Sequence, residues 1–139
     1  MRKVKWLFPV AVFIIGFFIP LFPVDVIPPW TLQLVDENGQ PVPNALVDQS
    51  WEDYSLELWS ERHTDQATSD ADGIVTFPIR RIRISAFQFV AGKVRGVLLI
   101  MNPHASYGPH AHVLCRGKLI CSARYRPDEE LPQVVIVKR

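Results

Sequence analysis

The most apolar stretch of the chain lies near its beginning. Residues 6–24 carry no charge, and three cations precede them within the first five residues. A helix needs roughly 20 apolar residues to cross a hydrocarbon core, and a cluster of lysine and arginine marks the cytoplasmic end of such a helix. The pattern therefore predicts a single transmembrane helix whose N-terminus lies in the cytoplasm, with Trp6 at the first membrane interface.

A cleaved signal peptide is the alternative interpretation of this segment. Cleavage requires small residues directly after the apolar run, but the run ends in large apolar residues and prolines, and Ala11 and Gly16 lie inside it. We therefore expect an uncleaved membrane anchor over residues 1–29. Four prolines between Pro20 and Pro29 stop the helix and predict a stiff Pro-rich spacer, which places Trp30 at the second interface.

Beyond this segment, apolar and polar positions alternate as they do in half-buried β-strands. Turn residues separate the strands, notably at Asn38-Gly39 and Asp72-Gly73. Residues 116–118 have the composition of a hairpin turn. Residues 30–139 have the length of one domain. The predicted strands cover residues 31–35, 45–51, 64–68, 74–77, 81–86, 112–115, 119–124 and 134–138.

One segment follows a helical period instead of alternating. Between residues 86 and 101 the apolar side chains recur every three or four positions, and Ser85 precedes them as a candidate cap. Gly92 and Gly96 each weaken a helix by about 1 kcal/mol, so a strand over residues 97–101 is the alternative. The apolar stripe of this predicted helix consists of Phe87, Val90, Val94, Val97 and Met101.

Two segments of the domain resemble the signatures of carboxypeptidase regulatory-like domains. Residues 34–47 read LVDENGQPVPNALV, where a strand, a glycine turn and a Pro-Val pair lead into the next strand. Residues 68–77 read TSDADGIVTF, which is similar to that family's turn before a core aromatic residue. The resemblance implies a mainly β fold, an Ig-like or transthyretin-like β-sandwich of seven strands, with the helix as an insertion after Ile84. Such domains are generally non-catalytic adhesion or envelope accessory modules.

Histidines and cysteines are the candidate chemical groups of the domain. His110 and His112 point the same way on a strand, and His104 precedes them by a short turn. Imidazoles bind zinc and copper, although no nearby carboxylate or cysteine completes a ligand set, and an exposed strand edge is the alternative. Cys115 and Cys121 face each other in a symmetric hairpin, which predicts a disulfide outside the cytoplasm; a shifted register leaves a buried thiol pair.

The charges of the domain are unevenly distributed along the chain. Residues 30–72 are predominantly acidic, whereas residues 73–127 contain cations and no acid. The simpler interpretation is that acidic and basic strands lie side by side and neutralise each other. The alternative is a basic, amphipathic segment that lies on a lipid surface. The residues of that predicted lipid surface are Arg80, Arg81, Arg83, Lys93 and Arg95.

The sequence contains no recognised catalytic motif and no phosphate-binding loop. We therefore expect a non-enzymatic interaction module that needs no cofactor and is held by the membrane outside the cytoplasm, in the periplasm if the source is bacterial. Its expected partner is an envelope protein or a glycan, and no nucleic acid. The alternative is a zinc- or copper-binding or redox accessory protein that uses His104, His110 and His112.

Overall fold

The computed structural model of the chain describes residues 7–57, 62–99 and 106–138. Its helices are α1 (Leu7–Phe18) and α2 (Ala86–Leu99). Its strands are β1 (Phe22–Ile27), β2 (Trp30–Val35), β3 (Leu46–Asp53), β4 (His63–Thr68), β5 (Ile74–Phe77), β6 (Arg80–Ile84), β7 (Pro109–Cys115), β8 (Ser122–Tyr125) and β9 (Val134–Ile136).

The protein is mainly β, and the strands of its described residues form three sheets. One sheet has the order β5-β2-β9, a second has the order β4-β3-β7-β8, and β1 pairs with β6 in a third. Strands β2 and β9 run parallel, whereas the other pairs are antiparallel. Buried side chains of the two larger sheets, such as Leu32 and Val113, belong to one hydrophobic core. This arrangement is consistent with a β-sandwich.

The two predicted aspartate–glycine turns close in the same way. The Oδ1 atom of Asp36 accepts hydrogen bonds from the backbone N–H groups two and four residues later, at 2.8 and 2.9 Å. Asp70 does the same at 3.0 and 2.8 Å. The glycines that follow, Gly39 and Gly73, have φ of 77° and 73°, which is the left-handed region that other residues enter at a cost.

These two glycines allow a matched test of the second turn. A Cβ at Gly73 would lie 2.5 Å from the backbone oxygen of Leu34, whereas a Cβ at Gly39 would meet nothing within 4 Å. Gly39→Ala is therefore expected to cost about 1–2 kcal/mol, the price of a left-handed alanine. Gly73→Ala should cost about 1–3 kcal/mol more because the turn must move. Urea unfolding of the two variants measures the difference, and equal midpoints would contradict the close packing at Gly73.

The prediction that residues 20–29 form only a spacer is wrong. Strand β1 pairs antiparallel with β6, from Phe22 opposite Ile84 to Ile27 opposite Arg80. Ile27 is fully buried, and it belongs to the hydrophobic core. Pro23 is compatible with this strand because β6 is the one partner of β1 among the described strands, and an edge strand tolerates a missing N–H.

The prediction that Trp30 lies in a membrane interface is also wrong. Trp30 is 0% exposed, and its indole N–H donates a hydrogen bond to the backbone oxygen of Pro132 at 2.8 Å. The ring lies 6.5 Å from that of Tyr125. A buried tryptophan with a satisfied N–H is typical of a protein core, so this residue belongs to the domain.

Helix α1 occupies part of the apolar N-terminal run. It covers 12 residues, and residues 1–6, including Trp6, lie outside the described residues. Within the described ranges, no helix combines the length and the apolarity that a membrane crossing requires. Among the side chains that the structure describes, the hydrophobic core cluster begins at Val26 and includes none from α1.

Helix α2 confirms the predicted helix. It continues to Leu99, so residues 97–99 are helical and do not form the alternative strand. The backbone N–H of Ser85 donates to the side-chain oxygen of Gln88 at 2.8 Å, and the N–H of Gln88 donates to Ser85 Oγ at 3.1 Å. This reciprocal pair is a capping box. The stripe residue Met101 lies outside the described residues.

Candidate functional site

Helix α2 contacts the domain through its glycines. Gly92 is buried, and a Cβ at this position would lie 2.5 Å from the backbone oxygen of Ser55. A Cβ at Gly96, one turn later, would lie 2.7 Å from the hydroxyl oxygen of Tyr107. Because glycine has no side chain, the helix backbone approaches the turn after β3 closely. The glycines therefore determine which side of α2 faces the domain.

The apolar stripe of α2 lies on the opposite side of the helix and faces outward. Val90, Val94 and Val97 are 52%, 54% and 67% exposed. Residues three and four apart share one side of a helix, and this side is not the one that carries Gly92. These three valines therefore do not pack on the core of the domain.

Helix α1 continues this exposed apolar surface. The ring of Phe87 lies 6.2 Å from that of Phe17 and 5.0 Å from that of Phe18. Contiguous exposed apolar patches mark protein or membrane contacts. We call this region the helical apolar surface, and its exposed members include Phe8, Phe13, Phe18, Phe87, Val90, Val94, Val97 and Leu98.

Two of the five cations of the predicted lipid surface, Arg80 and Arg81, interact with polar side chains of other strands. Arg80 points inward, with its side chain 13% exposed, and its Nε donates to Gln49 Oε1 at 2.8 Å. Its placement on a lipid surface was therefore wrong. The Nε of Arg81 lies 2.6 Å from Asp25 Oδ1 on the paired strand β1.

The other three cations lie on or beside α2. Arg83 and Lys93 are exposed, and Arg95 is partly exposed. The ammonium nitrogen of Lys93 lies 5.5 Å from the centre of the Phe89 ring, which is a cation–π distance. These cations flank the helical apolar surface.

Ion pairs join the basic part of the domain to the acidic part. Arg80 Nη1 lies 3.4 Å from Asp65 Oδ2, and Arg116 Nε lies 3.4 Å from Asp48 Oδ2. Asp65 also accepts a hydrogen bond from the indole N–H of Trp51 at 2.9 Å. These contacts favour the simpler interpretation of the charge asymmetry for Arg80 and Arg116.

A disulfide joins the two cysteines across the predicted hairpin. Cys115 at the end of β7 is bonded to Cys121, and their Cα atoms are 5.1 Å apart. The N–H of Cys115 also lies 3.4 Å from the backbone oxygen of Cys121. The alternative of a buried thiol pair therefore does not describe this structure.

Strand β7 carries two of the three predicted metal ligands. Ala111 and Val113 of this strand point into the core, so His110 and His112 lie on the opposite, outer face. His104 lies outside the described residues. Among the residues that are described, no group of three or more histidine, cysteine or acidic side chains is arranged to hold a metal ion. The metal site therefore stays a prediction.

The electrostatic surroundings of His112 are positive. The pKa of His112 is lowered, first by partial burial and then by the charges of Arg124, His110, Arg62 and Arg126. A positive environment disfavours a protonated imidazole, and by the same Coulomb energy it disfavours a bound metal cation. These surroundings suit an anion better than zinc or copper.

A shallow pocket of about 290 Å³ lies beside these histidines. The hydroxyl of Tyr54 donates a hydrogen bond to the carboxylate of Glu52, and this bond, together with burial, raises the pKa of Tyr54. Arg62 Nη2 lies 3.9 Å from the same carboxylate. The lining residues of the pocket are Ser50, Trp51, Glu52, Tyr54, Arg62, His110, His112 and Leu114.

Sequence reasoning missed this cluster of cations. Arg62 precedes β4, whereas Arg124 lies on β8, and the pairing of β4 with β3, β3 with β7 and β7 with β8 brings both arginines near β7. The one available signal was the spacing of Arg124 and Arg126, which places both on one face of a strand. Comparison of the chain with models of known protein families and with curated proteins found no match.

Proposed function

We propose that the protein is a membrane-anchored, non-enzymatic interaction module whose β domain stands outside the cytoplasm. The helical apolar surface contacts the lipid, and the sheets present the rest of the domain to an envelope partner. The outward apolar stripe of α2 carries this proposal.

The apolar stripe supports a lipid contact on energetic grounds. Removing a valine, leucine or phenylalanine side chain from water is worth about 1.5–3 kcal/mol when burial is complete. Val90, Val94 and Val97 are each more than half exposed, so most of this stabilisation is unused within the chain. A lipid occupant fits because the surface continues into α1, which belongs to the uncharged run of residues 6–24.

The cations beside α2 support an orientation in the membrane interface. An amphipathic helix in an interface buries its apolar side and keeps its cations at the headgroups. Each such cation near an anionic leaflet contributes about 1 kcal/mol. Arg83, Lys93 and Arg95 are available for this role, whereas Arg80 is held by Gln49 and Asp65.

The disulfide supports a location outside the cytoplasm, because such bonds persist in oxidising compartments. The finer fold class, a carboxypeptidase regulatory-like or transthyretin-like sandwich, is supported by two observations. The two larger sheets together hold seven strands, the number that the resemblance implies. Both quoted motifs form aspartate–glycine turns that lead into paired strands.

The full chain tests the anchor directly. Membranes from expressing cells should retain the protein through alkaline carbonate washing, and N-terminal sequencing should begin at Met1 or Arg2. Replacing Phe13 and Ile15 by aspartate should release most of the protein, since a charge costs about 2.5–3.5 kcal/mol inside a membrane helix. The matched control is Val134→Asp, which changes an exposed apolar residue of β9 and should stay in the membrane. An N-terminus beyond residue 25, or release of the unaltered chain by carbonate, would refute the anchor.

A further inference from the structure

We infer that the outer face of strands β3, β7 and β8 contains an anion-binding site that takes a phosphate group. Arg124 lies opposite His112 on the paired strand, Arg62 lines one pocket with His112, and Arg126 lines a second pocket with His110. The side chains of this site differ from those of the helical apolar surface, and they bind a charged group rather than the apolar part of a lipid.

Strand register places the central residues of the site in one row. Ser50 of β3 lies opposite His112 of β7, and His112 lies opposite Arg124 of β8. Directly opposed residues have Cβ atoms about 4.5–5.5 Å apart. A hydroxyl, an imidazole and a guanidinium group therefore stand side by side on the outer face of the sheet.

The neighbouring row of opposed residues contains a carboxylate, and this carboxylate already interacts with Tyr54 and Arg62. Glu52 lies opposite His110, accepts the hydroxyl hydrogen of Tyr54, and is close to Arg62. Arg126 has a partly exposed partner in Glu129 at 3.8 Å. Arg124 has no carboxylate within salt-bridge distance among the described residues. The cluster therefore keeps an excess of positive charge.

The side-chain chemistry favours phosphate over a metal or a neutral ligand. Guanidinium groups present forked N–H donors that match two phosphate oxygens, and such charge-assisted hydrogen bonds are the strong ones. His112 adds a third donor, and the adjoining pocket of about 290 Å³ leaves room for the group that carries the phosphate. Partial burial, and after it the positive neighbours, lower the pKa of His112; a bound dianion counteracts the positive neighbours and raises it.

The test uses the full chain in micelles of an uncharged maltoside detergent, which contain no phosphate. The ring signals of isotope-labelled histidine report the pKa of His112 during pH titrations. Sulfate is the first probe because it stays a dianion throughout the titration, and inorganic phosphate at pH 7 is the second. Each of the two anions should shift the ring signal of His112 until a plateau is reached at high anion concentration. Saturating sulfate should raise the pKa of His112. Because His112 is then protonated more readily, sulfate should bind more tightly as the pH falls through that pKa.

Substitutions distinguish a site from general screening of charge. Arg124→Gln should weaken sulfate binding at least about tenfold. Lys118→Gln is the matched control, because Lys118 is exposed in the turn at the far end of the β7–β8 hairpin. The Lys118→Gln variant should bind sulfate as tightly as the unaltered chain does. Equal weakening in both variants, or a response to chloride at the same ionic strength as large as that to sulfate, would overturn the proposal.

Two further probes identify the source of the phosphate. Glycerol phosphate tests a soluble or polymer-borne group, and phosphatidylglycerol added to the micelles tests a lipid headgroup. A response to the lipid alone assigns the site to the membrane surface, and a response to both assigns it to phosphate groups in general. A response to neither would refute phosphate as the ligand class. None of these outcomes depends on the apolar stripe of α2, so the two proposals fail independently.

Discussion

Replacing Val94 and Val97 by aspartate is expected to abolish the binding of residues 20–139 to anionic lipid vesicles. Both valines face away from the domain, so the substitutions remove apolar contact with lipid without opening the core. Losing the burial of each valine costs about 1.5–3 kcal/mol, and the two together lower the partition coefficient roughly 100-fold or more. Co-sedimentation with phosphatidylglycerol vesicles measures the effect.

The fragment is suitable because the core cluster, as far as side chains are described, begins at Val26 and contains none of the α1 side chains. Val134→Asp is the control, since it also introduces an acid at an exposed apolar position, and it should bind as the unaltered fragment does. Lys93→Gln should weaken binding less than the valine substitutions do, because each cation near the surface adds about 1 kcal/mol. High salt screens this contribution, so the variant and the unaltered fragment should then bind equally. Undiminished binding after the valine substitutions would show that α2 does not contact the lipid.

Replacing Ile27 by alanine is expected to lower the free energy of unfolding by about 2–5 kcal/mol. Ile27 is 0% exposed in the core, and it ends a strand that pairs with β6. The substitution removes buried methyl and methylene groups and leaves a cavity that the surrounding sheets fill only in part. Urea unfolding of residues 20–139, followed by circular dichroism, measures the loss.

Leu21→Ala is the control for this prediction. Leu21 lies just before the same strand, but its side chain is exposed, so the change should stay within about 0.5 kcal/mol. A spacer outside the domain would make both substitutions equally harmless. Similar midpoints for Ile27→Ala and Leu21→Ala would therefore contradict the inclusion of β1 in the domain.

The local pattern of the chain was sufficient to predict most of its regular elements, but not β1. Strands β2 and β5 alternate apolar and polar residues, and each is followed or preceded by an aspartate–glycine turn. Helix α2 has both a three-and-four periodicity and the Ser85 cap, which the capping box confirms. Hydrogen bonding and side-chain direction within a few residues decide these features, so they can be derived without the rest of the fold.

The burial and contacts of individual residues were less predictable where packing between distant parts of the chain decides them. Trp30 follows two prolines and an apolar run, which is also the pattern of a membrane interface, but the core of two sheets encloses it. Arg80 belongs to a basic segment, but Asp65 and Gln49 on other strands turn it inward. Pairing with β6 converts a proline-containing segment into β1.

The sequence by itself therefore determined that the chain has an apolar N-terminus, a β domain, an amphipathic helix and a cysteine pair placed for a hairpin. Only the tertiary structure decided which side of the helix meets the domain, because that depends on Gly92 fitting against Ser55. It likewise decided that Arg62 lines one pocket with His112 and that Arg124 lies opposite His112. Periodicity determines which residues share one face of a helix or strand. Contacts between residues far apart in the chain determine what that face packs against.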